Sequence, residues 1–288
     1  MNTINYNGFP TPNSSQKSWG WVLYPLLAVV IFFATQIACS SVVATAFVLT
    51  GKIDFPMIMA TGLLGSAIIT TIILMLVKPF GLSNAFSRVG CKAGYAILAV
   101  VGVMLGSFAA NVMTESLSLE NTLEEEFLGM SRSWVGILAI GVAGPVCEEV
   151  VFRGGIMRPI LNKGVNPWVA ILCSAVVFGI IHWNPIQIPF AMVVGLMYGI
   201  VYYCTGSLVL TSTCHILNNL SSVLAMNQFG KESLEVTTQQ EVGTTWTIVL
   251  LVLAIVGCVV SLRVIWKRLV PERLAEQVSQ TPSTPSTF

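Results

Sequence analysis

Charge is what this sequence has least of. Fourteen Lys and Arg and thirteen Asp and Glu are spread over 288 residues, 9% in all, where a soluble domain carries about 25%. The net charge of +1 offers no basic surface, so nucleic acid is not an expected partner. Histidine is scarcer still, with two residues. The seven cysteines, at 39, 91, 147, 173, 204, 214 and 258, form no CxxC pair. Most lie in apolar runs and read as small buried hydrophobes rather than metal or redox ligands. Apolar residues fill the chain instead. It is 55% hydrophobic with a mean hydropathy of +0.80. That composition implies an integral multi-pass membrane protein whose partner is the lipid bilayer. Backbone satisfaction in lipid then implies an all-α bundle.

A window of about 20 residues finds about eight transmembrane helices, at 20–42, 56–77, 94–113, 134–157, 167–183, 187–204, 207–226 and 246–266. The first apolar run continues to about Thr50, longer than one crossing needs. It lacks a clear cleavage site and reads as a retained span rather than a signal peptide. The expected organisation is a polar N-terminal segment over 1–18, a transmembrane bundle over 19–268 and a cytoplasmic, disordered tail over 269–288 that ends rich in Ser, Thr and Pro. Neither an internal repeat nor a second soluble domain is visible.

The lysine and arginine bias sets the expected orientation. With both termini cytoplasmic, the inner segments hold Lys17, Lys78, Arg88, Lys92, Arg158, Lys163, Arg263, Lys267, Arg268 and Arg273. The outer segments hold Lys52, Arg132 and Lys231, together with the acidic run Glu124 to Glu126.

Against this background the stretch GPVCEEVVFRGG, residues 144–155, stands out. Each charge in it costs roughly 2.5–3.5 kcal/mol at a bilayer centre. On a helix, Glu149 and Arg153 are i and i+4 with the acid first, the favourable order for a pair. Glu148 is rotated by about 100° and has no partner nearby in sequence. Pro145 frees a backbone carbonyl just before it. One Glu–Arg pair can simply hold helices together, but a second buried carboxylate has no structural need. Both histidines also sit in apolar runs. His182 ends VVFGIIH, and His215 begins HILNN with Asn219 one turn on and Asn218 beside it. Two histidines, two glutamates, an arginine and two asparagines thus gather on three motif-bearing spans, between about residues 134 and 226. Intramembrane ionisable residues are functional candidates by default.

These residues carry a resemblance. EEVVFR matches an EExxxR motif, FGIIH an FxxxH motif and HILNN an HxxxN motif, in that order. The sequence resembles the CPBP family of intramembrane proteases, which includes type II CAAX prenyl endopeptidases and the bacteriocin-processing and self-immunity proteins of the Abi group. The region of resemblance runs from about Gly136 to Leu224.

The resemblance implies hydrolysis of a peptide bond in a membrane-associated peptide or protein. Glu148 would be the general base, holding and polarising the attacking water together with His182. A carboxylate out of water accepts a proton more readily, which suits that task. His215 and Asn219 would donate to the tetrahedral oxyanion. Glu149 and Arg153 would support the helix, and Phe178 would pack one turn from His182. No cofactor is expected, although Glu148, His182 and His215 also make up a His₂Glu zinc set and no HExxH is present. Counting 1.5 Å per residue from the inner ends places Glu148 and His215 roughly 12–15 Å deep and His182 roughly 24 Å deep. The alternatives are a non-catalytic immunity or binding protein and a transporter, for which no inverted repeat is visible.

Overall fold

A computed structural model describes residues 20–280 apart from 52, 78, 79, 81, 83–85 and 87–89. The polar segment 1–18 and residues 281–288 of the expected tail lie outside the described residues, as do Lys17, Lys52, Lys78 and Arg88 of the orientation argument. The elements are α1 (Gly20–Leu49), α2 (Phe55–Leu76), α3 (Ala93–Glu115), α4 (Glu124–Ser131), α5 (Trp134–Leu161), α6 (Pro167–Ile180), α7 (Gln187–Thr205), α8 (Leu208–Phe229), α9 (Glu232–Glu235), α10 (Thr238–Val242) and α11 (Thr244–Gln280). The described residues contain helices and no strand, so the protein is an all-α polytopic bundle.

Seven of these helices are long and apolar enough to cross a membrane: α1, α2, α3, α5, α7, α8 and α11. The eighth expected span, 167–183, is present as the shorter α6 of 14 residues. At 1.5 Å per residue it is about 21 Å long, short of the roughly 30 Å hydrocarbon layer. Asn166 caps its start by accepting from Trp168 N at 2.9 Å, with Pro167 in the first turn. The far end differs from expectation too. Helix α11 runs on to Gln280, so the first part of the segment expected to be disordered from 269 is helical. Ile265 and Leu269 are buried and anchor the helix to the bundle as far as the start of that segment.

Helix α5 occupies the centre and packs against α1, α2, α6 and α8. It is not one regular helix. Two π-helical segments, Ala139–Ala143 and Val150–Met157, flank an α-helical turn at Gly144–Glu149. Each π segment widens the coil and shifts the side chains that follow, a feature common at functional sites. Helices α6 and α7 pack as a close pair. A Cβ added at Gly195 of α7 would lie 2.8 Å from Phe178 Cδ1 and 3.4 Å from Ala175 Cα. Only a glycine lets the two backbones come that close, the small-residue packing that membrane helices use.

Candidate active site

The π segment before Pro145 creates a specific need. In it the N–H of Gly144 bonds the carbonyl of Ala139, one residue further back than in an α-helix. The carbonyl of Ile140 therefore loses its α partner. Its π partner would be the N–H of residue 145, and that residue is a proline. Asn219 of α8 fills the gap, donating Nδ2 to Ile140 O at 2.9 Å. One N–H of its amide stays free, since the group carries two. Its Oδ1 accepts from Asn218 Nδ2 at 3.3 Å.

One turn back on α8, His215 is buried and bridges the two glutamates of α5. Its Nδ1 lies 3.0 Å from Glu149 Oε1, and its Nε2 lies 3.6 Å from Glu148 Oε2. Arg153 reaches the same Glu149 oxygen through Nη1, also at 3.0 Å. Its Nη2 donates to the carbonyl of Gly195 at 2.7 Å. The guanidinium carbon also stands 5.0 Å from the Phe178 ring centre and 5.3 Å from that of Tyr198, within cation–π range. Glu149 and Arg153 are fully buried, while the Glu148 side chain keeps 18% of its surface. Of the two carboxylates, Glu148 is therefore the one that water and substrate can reach.

His182 follows the last turn of α6, in a turn rather than in the helix. Its Nδ1 is 2.7 Å from Phe178 O. A carbonyl only accepts, so Nδ1 carries the proton and the neutral ring presents Nε2 as a lone pair. Phe178 is in edge contact with both imidazoles, at 5.0 Å from His182 and 5.6 Å from His215. Both imidazoles therefore pack on one aromatic ring, although the count along the sequence puts them at different depths. The loop beyond is pinned by Asn184, which is fully buried. Its Nδ2 donates to Asn121 Oδ1 at 2.8 Å, and its Oδ1 accepts from Thr122 N at 3.3 Å. Between them, Trp183 adopts a left-handed φ of 53°. This is costly for a bulky residue and is held by these bonds.

The structure therefore brings Glu148, Glu149, Arg153, His215 and Phe178 into one cluster. His182 stands at its edge across Phe178, and Asn219 stands one turn along α8 from His215. Among the described residues, no three His, Cys, Asp or Glu side chains are grouped to hold a metal ion. Glu148, His182 and His215 are not grouped in that way, and His182 packs against Phe178 beside the cluster.

Two participants carry no signal in the sequence motifs. Gly195 supplies a carbonyl to Arg153, and Tyr198 stacks on His215 with ring centres 4.7 Å apart and 27° between planes. Both lie on α7, which bears none of the three motifs. The small residues Ala175 and Gly179 on α6, and Gly195 and Gly199 on α7, could have indicated the close pairing.

Residues 130–221 match the family described as Rce1-like, type II CAAX prenyl endopeptidase Rce1-like. Neither a curated protein nor a solved structure matches the chain. The matched stretch contains all three motifs and every residue of the cluster. Residues 130–221 thus carry an Rce1-like domain, which supports the resemblance to the CPBP family of membrane proteases.

Proposed function

We propose that the protein is an intramembrane endopeptidase that uses Glu148 to activate water against a peptide bond of a membrane-associated peptide or protein. The observation that carries this reading is His215 held between Glu149 at 3.0 Å and the partly accessible Glu148 at 3.6 Å. Two carboxylates and one guanidinium leave the cluster one negative charge. In the proposed reaction His215 carries hydrogen on both ring nitrogens, so that Nδ1–H donates to Glu149 and Nε2–H faces Glu148. Glu148 is then an ionised base beside an N–H donor.

In the proposed reaction, Glu148 takes a proton from water as the water oxygen attacks the scissile carbonyl carbon. The C=O electron pair moves onto oxygen. The His215 Nε2–H and the free N–H of Asn219 donate to that oxyanion, the kind of preorganised donor that counts most in a low dielectric. The lone pair of His182 Nε2 accepts a hydrogen bond from the water's remaining O–H and orients it. Collapse re-forms the carbonyl and breaks the C–N bond, and the proton held by Glu148 passes to the leaving amine.

The test compares membrane peptides by mass spectrometry from cells carrying the wild-type chain and cells carrying Glu148→Gln at equal abundance. Peptides cut only by the wild type support the reading. Identical peptide sets, repeated with purified protein on those membranes, would sink it.

A further inference from the structure

We infer that Tyr198 is a positioning residue for His215, which rests on the peptidase reading above for its kinetic consequence. The bond from His215 Nδ1 to Glu149 Oε1 fixes one direction of the imidazole. One hydrogen bond holds one ring atom, and the imidazole can still rock through χ1 and χ2, which carries Nε2 away from Glu148. The plane must therefore be set by what lies against its faces and edges. Tyr198 lies flat against it, 4.7 Å between centres and 27° between planes, while Phe178 meets it edge-on at 80°. The two aromatics come from neighbouring helices and also touch each other, with centres 6.5 Å apart.

Tyr198 is itself held in place. It is fully buried, and the Arg153 guanidinium stands 5.3 Å from its ring centre. Arg153 is anchored to Gly195 O, three residues earlier on the same helix. One cation thus ties α7 to the Glu149–His215 pair, and the tyrosine ring passes that order to the imidazole plane. The hydroxyl takes no part in this. Tyr198 Oη has no hydrogen-bond partner although it is buried. The ring face, rather than the hydroxyl, is the working part, and phenylalanine should replace it.

The experiment uses the full-length chain in detergent micelles with ring-labelled histidine. The sequence has two histidines, so NMR shows two sets of ring signals, and His182→Gln assigns them. The stacked ring should shift the His215 signals upfield of those of a histidine free in water. Tyr198→Phe should keep that shift and the wild-type turnover. Tyr198→Leu should abolish it, leave the His182 signals in place and lower kcat by about 10–100-fold, the scale of a small misplacement, with KM little changed. An unshifted His215 signal in the wild type overturns the inference, as does one that Tyr198→Leu leaves unmoved. If the signal moves and kcat does not, the positioning role is wrong. Loss of turnover in Tyr198→Phe with the shift retained assigns the work to the hydroxyl and also overturns it. Should Tyr198→Leu fail to fold, the wild-type shift and the phenylalanine variant still decide. The NMR result stands apart from any substrate, so a wild-type chain that hydrolyses nothing counts against the peptidase reading and leaves the stack to be judged on its own signals.

Discussion

His215 Nδ1 and Arg153 Nη1 converge on one oxygen of Glu149, each at 3.0 Å. Glu149 therefore does two things at once: it neutralises a fully buried guanidinium and holds the His215 imidazole. Glu149→Gln keeps the shape and removes the charge. It strands Arg153 in a dry site, and breaking a buried pair by removing one partner costs about 3–5 kcal/mol. We expect low expression and an early thermal transition in detergent micelles, together with loss of turnover. A variant that melts with the wild type yet is inactive would mean that the two glutamates have been assigned the wrong way round.

Glu148→Gln should behave in the opposite way. Glu148 makes no contact with Arg153 as close as that of Glu149, and its side chain is 18% exposed, so an amide in its place can be solvated. The melting temperature should stay within a few degrees of the wild type while turnover falls by about 10²–10⁴-fold, the usual worth of a general base. Wild-type turnover in a folded variant would remove Glu148 from the mechanism.

Asn219 offers a test in which stability and proximity separate. Its amide fills the gap that Pro145 leaves at Ile140 O. Asn219→Ala should cost about 1–3 kcal/mol by leaving a buried carbonyl unpaired. Pro145→Ala restores a backbone N–H in the position that the π segment needs. In the double variant that N–H can take over, so the two changes should cost less together than their separate costs predict. Strict additivity in the melting of all four proteins would show that Asn219 and the proline are not coupled in this way.

The sequence and the structure agree where physics is local. Glu149 and Arg153 at i and i+4 meet as helical spacing requires, even though the backbone turns π-helical from Val150. The spans follow hydropathy because the bilayer demands satisfied backbones. The contact between His215 and Glu149 joins residues 66 apart in sequence, and nothing in either motif says which glutamate the histidine takes. The π segments were not legible either. Pro145 announced a freed carbonyl, but a proline can kink a helix or widen it, and which happens depends on Asn219 being there to donate. Tyr198 and Gly195 were invisible because an aromatic and a glycine on an apolar helix look like packing. Hydropathy alone does not give the length of α6, since the apolar run through Ile181 continues past the helix, which ends at Ile180. The chain turns there because Asn184 is bound to the loop at residues 121–122.

The last prediction concerns metal. If Glu148 activates water directly, purified protein should keep its activity after prolonged chelation and dialysis, and elemental analysis should find substoichiometric zinc. The side-chain variants should also differ from one another. His215→Ala and Asn219→Ala each remove one oxyanion donor and should lower kcat by about 10²–10³ with KM little changed. His182→Ala should spare the fold, since its polar contact is to the Phe178 carbonyl at a helix end, where another donor can substitute. A zinc site built from Glu148, His182 and His215 makes a different forecast. It would need all three side chains to converge on one ion, and removing any one of the three ligands would empty the site. All three variants would then lose bound metal together, and added zinc would restore a chelated wild-type protein. Stoichiometric zinc that departs with activity and returns with it would overturn water activation by glutamate alone while leaving the peptidase assignment in place.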